Sequence, residues 1–302
     1  MKAILFGAGA SHGAGDTLPV SPPLGRDLFP ALARLFRGSW GQIPGEAAAL
    51  FADDFEAGMA VVIEKYGLAV GPLMQKMAIF FSWFAAGNEG SNLYTRFFRE
   101  AYRLELVPNL LVSTINYECI AETAANQAGL KISYFGDVPS DPDSLALWKL
   151  HGSCNFKLAG VDATRGVTYS GSGVAFDGGI EILHPPEVRR CYSGDTALYP
   201  AMSLYARSKP IFMAPTIIQN KQKAWAEQVQ IASHVIVIGV RPNPEDEHIW
   251  SPIACTDAEV SFVGSRTEFE NWVSANRPTR RSKFLGSRWS SAFDAVIRNL
   301  CQ

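Results

Sequence analysis

Lys2-Ala3-Ile4-Leu5-Phe6-Gly7-Ala8-Gly9-Ala10-Ser11 is a short apolar run that breaks directly into a glycine-spaced turn. It reads as a buried β-strand followed by a tight connection into a helix. Glycine lets a backbone turn sharply and approach another group closely, and the free N–H groups opening a helix attract a phosphate. The spacing departs from the dinucleotide fingerprint G-x-G-x-x-G, because position 12 is His12. By itself the turn is equally explained as a strand-to-helix connection that holds nothing.

Outward from this run the chain repeats the pattern. Residues 235–240 (VIVIGV) are apolar without polar alternation, as a central parallel strand covered on both faces requires. Further strands are expected at 109–114 (NLLVST), 131–134, 145–150 (LALWKL) and, as the last one, 259–263. Helices are expected at about 118–128, stopped by Gly129, then around Trp225, Val229 and Ile231, and at 290–300. This alternation predicts an α/β fold, a parallel sheet with helices on both faces. Between the first two strands, residues 25–106 are rich in Ala, Leu, Phe and Met. Phe51, Phe55, Met59, Val62 and Ile63 recur at helical spacing, and Asn92 or Ser91 is placed to cap a helix carrying Phe97, Phe98, Ala101 and Tyr102. The expectation is an inserted, mainly helical subdomain. The apolar stretch 77–86 is too short to span a bilayer and reads as a core helix. Residues 155–205 read as a small loop-rich module with short strands near 166–169 and 180–183, all within one domain of residues 1–302.

The 302 residues are 47% hydrophobic and 19% charged, with a net charge of −2, so nothing draws the whole molecule to nucleic acid or anionic lipid. Arg277, Arg280, Arg281, Lys283 and Arg288 form a local basic cluster, read as solvated surface. No signal peptide is read at the start, where residues 2–6 already form a strand. Five cysteines stand singly, without a C-x-x-C pair. That usage predicts reduced thiols in a cytoplasmic protein and no structural zinc; no metal is expected.

Three further stretches carry polar residues where a strand ends. Asn116 follows 109–114 in Ser113-Thr114-Ile115-Asn116-Tyr117-Glu118; Asn at this point also suits a plain helix cap. His151 follows 145–150 and precedes Gly152, the position of a general base beside open space or of a histidine hydrogen-bonded in a sheet edge. Gly239 is followed by Val240-Arg241-Pro242-Asn243-Pro244-Glu245-Asp246, either a loop around the adenosine half of a dinucleotide or a rigid surface turn. Ligands of open α/β sheets bind at such strand ends.

In their order along the chain, GAGAS (7–11), Thr114-Ile115-Asn116-Tyr117-Glu118, Lys149-Leu150-His151-Gly152-Ser153 and the I-x-I-G-V of 236–240 resemble the sirtuin-like family. More closely they resemble its prokaryotic NAD-consuming branch, which serves anti-phage defence and lacks the zinc module. The resemblance runs from Phe6 to Asp246 and takes in residues 284–297 (FLGSRWSSAFDAVI). It implies a Rossmann-like parallel sheet and NAD as substrate, with Gly7, Ala8, Gly9, Ala10 and Ser11 around the phosphates and Arg26 near the ribose-phosphate. It further implies Thr114 and Asn116 at the nicotinamide ribose, and Gly239, Val240 and Arg241 beside the adenosine ribose. Asn116, His151 and Glu118 are the implied catalytic residues: Asn116 and His151 engage the ribose and a water, and Glu118 stands where the family has an acid near nicotinamide. The sequence also departs from protein deacylases: it has Ile115 before Asn116, Glu118 instead of Asp, Val240-Arg241 after Gly239, and no four-cysteine zinc module.

The expected activity is therefore hydrolysis of NAD to nicotinamide and ADP-ribose. The implied setting is an NAD-depleting defence effector, controlled by homo-oligomer assembly or by a partner defence protein. Protein deacylation or ADP-ribosyl transfer, and a non-catalytic subunit sensing NAD or ADP-ribose, are the alternatives.

Overall fold

The structure is a computed structural model that describes residues 1–65, 70–160, 175–194, 198–204 and 210–302. Among these residues the strands are β1 (Lys2–Phe6), β2 (Thr17–Leu18), β3 (Ala85–Ala86), β4 (Leu110–Thr114), β5 (Lys131–Ser133), β6 (Ser144–Lys149), β7 (Phe156–Leu158), β8 (Ile180–Ile182), β9 (His234–Ile238), β10 (Glu259–Val263) and β11 (Ser282–Gly286). The helices are α1 (Ala8–His12), α2 (Gly25–Leu35), α3 (Gly45–Leu50), α4 (Phe55–Glu64), α5 (Val70–Phe81), α6 (Leu93–Arg103), α7 (Ile120–Gln127), α8 (Pro185–Ser193), α9 (Pro215–Ile231), α10 (Glu247–Cys255), α11 (Arg266–Asn276) and α12 (Trp289–Cys301).

Seven strands form one parallel sheet in the order β11-β10-β9-β1-β4-β6-β5. Alternate residues of its central strands feed two separate cores. Ile4, Phe6, Leu110, Val112, Ile236 and Ile238 belong to one, with Phe97 of α6, Ile120 of α7 and Val296 of α12. Ala3, Leu5, Leu111, Val235, Val237 and Val260 belong to the other, with Trp225 of α9, Ile253 of α10 and Phe269 of α11. Helices therefore cover both faces, which is why 235–240 shows no polar alternation. The Rossmann-like architecture is the expected one.

The helical insertion does not stand apart from the sheet. Asn92 caps α6 by accepting from the Tyr94 N–H, and α6 lies on β1, where the Phe6 ring meets Tyr94 at 4.8 Å and Phe97 at 5.8 Å between centroids. Edge-on aromatic contacts of this kind add to the area each ring buries. Its buried aliphatic and aromatic residues are continuous with those under the sheet.

Several expectations need correction. The strand Glu259–Val263 is not the last: β11 pairs beyond it at the sheet edge. Its Ser282 and Lys283 give it no run of apolar residues, because an edge strand is covered by fewer neighbours. The stretch 77–86 is not helical throughout; α5 ends at Phe81, and Ala85–Ala86 pairs antiparallel with Thr17–Leu18. Arg277 does not belong to a solvated cluster. It is 1% exposed, and its guanidinium donates to the carbonyls of Thr256 and Ala258, both at 2.8 Å, and of Ile253. Cations suit the carbonyls that a helix end leaves unmatched, here the end of α10. Arg280, Arg281, Lys283 and Arg288 are exposed as expected. In the loop-rich module the strand near 180–183 is β8, paired antiparallel with β7, whereas the one near 166–169 lies outside the described residues. Among the described residues no helix is long and apolar enough to cross a membrane.

Candidate active site

The register of the sheet brings the four motifs to one edge. Phe6 pairs with Thr114 on one side and Ile238 on the other; Thr114 pairs in turn with Lys149, and Ile238 with Val263. The next residue of each strand continues the ladder: Ile115 N–H donates to Phe6 O, Leu150 N–H to Thr114 O, Gly7 N–H to Ile238 O and Gly239 N–H to Val263 O. Gly7, Ile115, Leu150 and Gly239 thus form a single row at the carboxyl ends. From β1 the chain moves first to β4 and β6, then returns to β9 on the opposite side. That reversal is the switch point at which open α/β sheets bind ligands.

Gly7 and Gly9 serve the close approach of this row. A Cβ on Gly7 would lie 2.6 Å from the Gly239 carbonyl oxygen, and one on Gly9 would lie 3.0 Å from Gly239 Cα. Gly239 itself has φ +67°, a left-handed conformation that favours glycine. The N–H groups of Gly7, Gly9 and Ala10 donate to Ile238, Gly239 and Gly7 carbonyls. They are committed to the protein.

Asn116 and His151 each lie two residues past the paired Thr114 and Lys149, on adjacent strands. Asn116 N–H donates to Thr114 Oγ1 at 3.0 Å, and its side-chain Nδ2 donates to Ser11 Oγ at 2.9 Å. The chain of partners decides which way the amide faces. Glu118 Oε1 lies 2.6 Å from Ser11 Oγ, and an ionised carboxylate only accepts, so the Ser11 hydroxyl proton goes to Glu118. Ser11 Oγ must then accept from its other neighbours, Asn116 Nδ2 and the Tyr94 hydroxyl at 2.9 Å. Burial, followed by the nearby Glu118, raises the Tyr94 pKa well above its ordinary value, so it remains a phenol able to donate. The amide nitrogen of Asn116 is thereby held inward, and its Oδ1 is left to accept from outside. Glu118 Oε2 accepts from Ile120 N–H at 2.6 Å, tying the same carboxylate to the start of α7. Glu118 therefore faces Ser11 and the α7 terminus.

Beneath this network Lys149 is fully buried. Its Nζ lies 2.9 Å from Glu122 Oε1 and donates to the Glu118 carbonyl oxygen at 2.6 Å. Burial opposes the charge on Lys149, but the facing carboxylates, Glu122 first, outweigh it and hold the amine above its ordinary range.

His151 is 3% exposed, and its backbone is clamped from a separate segment: Ser203 N–H donates to His151 O, and Ser153 N–H to Ala201 O. Gly152 between them has φ +74°, and a Cβ there would strike the Ala201 carbonyl oxygen. His151 Nε2 faces His248 Nε2 at 2.9 Å and lies 3.5 Å from Asp246 Oδ1. Asp246 closed the fourth sequence stretch and carried no assigned role; His248, two residues on, and Tyr94, in the insertion, carried no site assignment.

The remaining expected residues are spread around the edge. Val240 is buried in the core against Gly7. The Arg241 side chain is 79% exposed and pairs with Glu268 at 2.9 Å, while that of Arg26 is 77% exposed and lies 3.7 Å from Asp27. His12 Nδ1 and Pro22 O, 2.9 Å apart, join the segment leading to Arg26 to the end of α1.

No protein-family model matches the chain, and no curated protein matches it. Among solved structures it is similar to a Sir2 homologue mutant–ADP ribose complex: 14% identity, 99% of this chain and 91% of that chain covered, TM-score 0.45. It is similar also to Sir2 in complex with the inhibitor EX-527, 2'-O-acetyl-ADP-ribose and a deacetylated peptide: 14% identity, 99% and 93% covered, TM-score 0.48.

Proposed function

We propose that this chain binds NAD along the carboxyl edge of the sheet and hydrolyses its nicotinamide–ribose bond. The observation that carries the reading is the placement of Asn116 and His151 two residues past the paired ends of β4 and β6, at the switch point, with the Asn116 amide oriented by Ser11 and Glu118. The order of the sirtuin-like motifs supports the same substrate.

The bond breaks through an oxocarbenium-like state, with neutral nicotinamide leaving from a cationic ribose. Asn116 Oδ1 accepts from a ribose hydroxyl or from the attacking water. His151, when neutral, accepts the proton that water gives up as its oxygen bonds to the ribose carbon. NAD and water thus yield nicotinamide, ADP-ribose and one proton. Glu118 orients Asn116 through Ser11 and adds negative charge near the cationic ribose. The phosphates lie across the turn 7–11, with the exposed Arg26 near the ribose-phosphate and the exposed Arg241 beside the adenosine ribose. In this reading the chain is the NAD-depleting effector of a prokaryotic defence system, held in check in the cytoplasm until a homo-oligomer or a partner protein assembles. The departures from deacylases at Ile115, Glu118 and Val240-Arg241 favour water over an acylated peptide as the acceptor.

The test is NAD turnover by the purified chain over a range of protein concentrations, with chromatography of the products. Equal amounts of nicotinamide and ADP-ribose are expected, with specific activity rising as the chain self-assembles or its partner is supplied. Nicotinamide release that requires an acylated peptide overturns hydrolysis in favour of deacylation. Calorimetric NAD binding without turnover under all these conditions identifies a sensor, and absence of binding ends the NAD assignment.

Glu118→Gln separates orientation from folding. A glutamine amide can donate to Ser11 and so release the constraint on Asn116. The variant is expected to hydrolyse NAD about 10- to 100-fold more slowly, the equivalent of one lost charged hydrogen bond. Its thermal midpoint should stay within a few degrees of wild type, and an unchanged rate would refute the orienting role.

A further inference from the structure

His151, Asp246 and His248 bring one ligand atom each to within 4.8 Å of one another. They come from two rigid supports. His151 leaves β6 with its backbone held by Ser203, while Asp246 ends the 3-10 turn Pro244–Asp246 and His248 lies in the first turn of α10. Ile249 and Ile253 fix that helix in the core, and Asn243 accepts from Glu245 N–H at the preceding turn. Two imidazole nitrogens and one carboxylate oxygen are the donor set of a borderline divalent ion.

The two separations from His151 agree with such an ion. At a metal–ligand distance of about 2.0–2.1 Å, nitrogens 2.9 Å apart subtend about 90°, and a nitrogen and oxygen 3.5 Å apart about 115–120°. Both angles suit three protein ligands with further positions open. Opposed Nε2 atoms otherwise need a proton between them, donated by one ring to the other. With both rings protonated at Nδ1, each Nε2 presents a lone pair that a cation can share.

We propose that His151, Asp246 and His248 form a binding site for a divalent transition ion, with Zn2+ the best match to this donor set. Its consequence for turnover rests on the NAD hydrolase reading: an ion on His151 Nε2 occupies the lone pair that would take the proton from water. Filling the site therefore switches hydrolysis off, and a chelator restores it.

The full-length chain, freed of metal by chelation, is titrated with Zn2+ by calorimetry and with Co2+ by visible absorption, without NAD. One ion per chain is expected, together with a Zn2+-dependent rise in thermal midpoint. His248→Ala and, separately, Asp246→Asn should each weaken binding about tenfold or more and abolish the thermal shift. Two independent variants keep the test decisive if one fails to fold. Absence of Zn2+ binding to the wild type, affinity unchanged in both variants, or an intense cobalt–thiolate band marking cysteine ligation overturns the site. NAD hydrolysis is then followed with and without Zn2+. Zn2+ binding by a chain that hydrolyses no NAD when metal-free, even self-assembled or supplied with its partner, leaves the site standing and removes the hydrolase reading. Hydrolysis that continues unaltered at saturating Zn2+ removes the switch.

Discussion

Replacing His151 by alanine is expected to lower NAD hydrolysis by about two to four decades, the usual range for a positioned acid–base group. NAD affinity, read by calorimetry, should change little, because the proposed role of His151 is to take a proton rather than to hold the phosphates. Its backbone is anchored by the Ser203 N–H and by the Leu150 ladder bond, neither of which needs the side chain. Asn116→Ala should give a loss of similar size while also freeing the Ser11 hydroxyl network. The two changes act on one water and one ribose, so the double variant should fall far short of the product of the single effects. Measuring kcat and KM for all three checks this. Wild-type turnover in either single variant removes that residue from the mechanism.

Lys149→Met is expected to destabilise the fold by about 3–5 kcal/mol, the cost of breaking a buried ion pair from one side. The amine is fully buried between Glu122 and the Glu118 carbonyl, so its loss leaves Glu122, itself buried and with its pKa raised by that burial, facing no cation. Glu122→Leu in the same chain removes the stranded carboxylate and should recover much of the loss. Urea denaturation of the two variants and wild type measures both steps, with the unfolding slope showing whether the native state stays compact. A single variant within about 1 kcal/mol of wild type would show that the pair contributes less than a buried pair ordinarily does. Because Lys149 also holds the carbonyl of Glu118 and precedes Leu150 and His151, partial loss of activity should accompany the loss of stability.

Much of the sheet was legible because its central strands are covered on both sides. The runs at 3–6 and 235–238 are apolar at every position for that reason, and they mark β1 and β9 directly. The edge strand β11 was not legible, since half-burial leaves Ser282 and Lys283 in place and lets the basic residues around it dominate the reading. Arg277 misled in the same way: its charge suggests solvent, and only the carbonyls gathered at the end of α10 account for its burial.

The candidate site divides along similar lines. Asn116 and His151 were legible as polar residues just past apolar strands, and Gly7, Gly9 and Gly239 as breaks in such strands. The sequence by itself determined that these breaks exist, because hydrophobic period and glycine placement are local properties. That Thr114 stands opposite Lys149, and Phe6 opposite Ile238, was decided only by the tertiary structure, since register couples strands that are not consecutive along the chain. The same holds for the inward turn of Glu118 toward Ser11, the reach of Tyr94 from the insertion and the meeting of His151 with His248. Each depends on a hydrogen bond or a close approach between distant segments, and packing, which no local pattern encodes, brings those partners within reach.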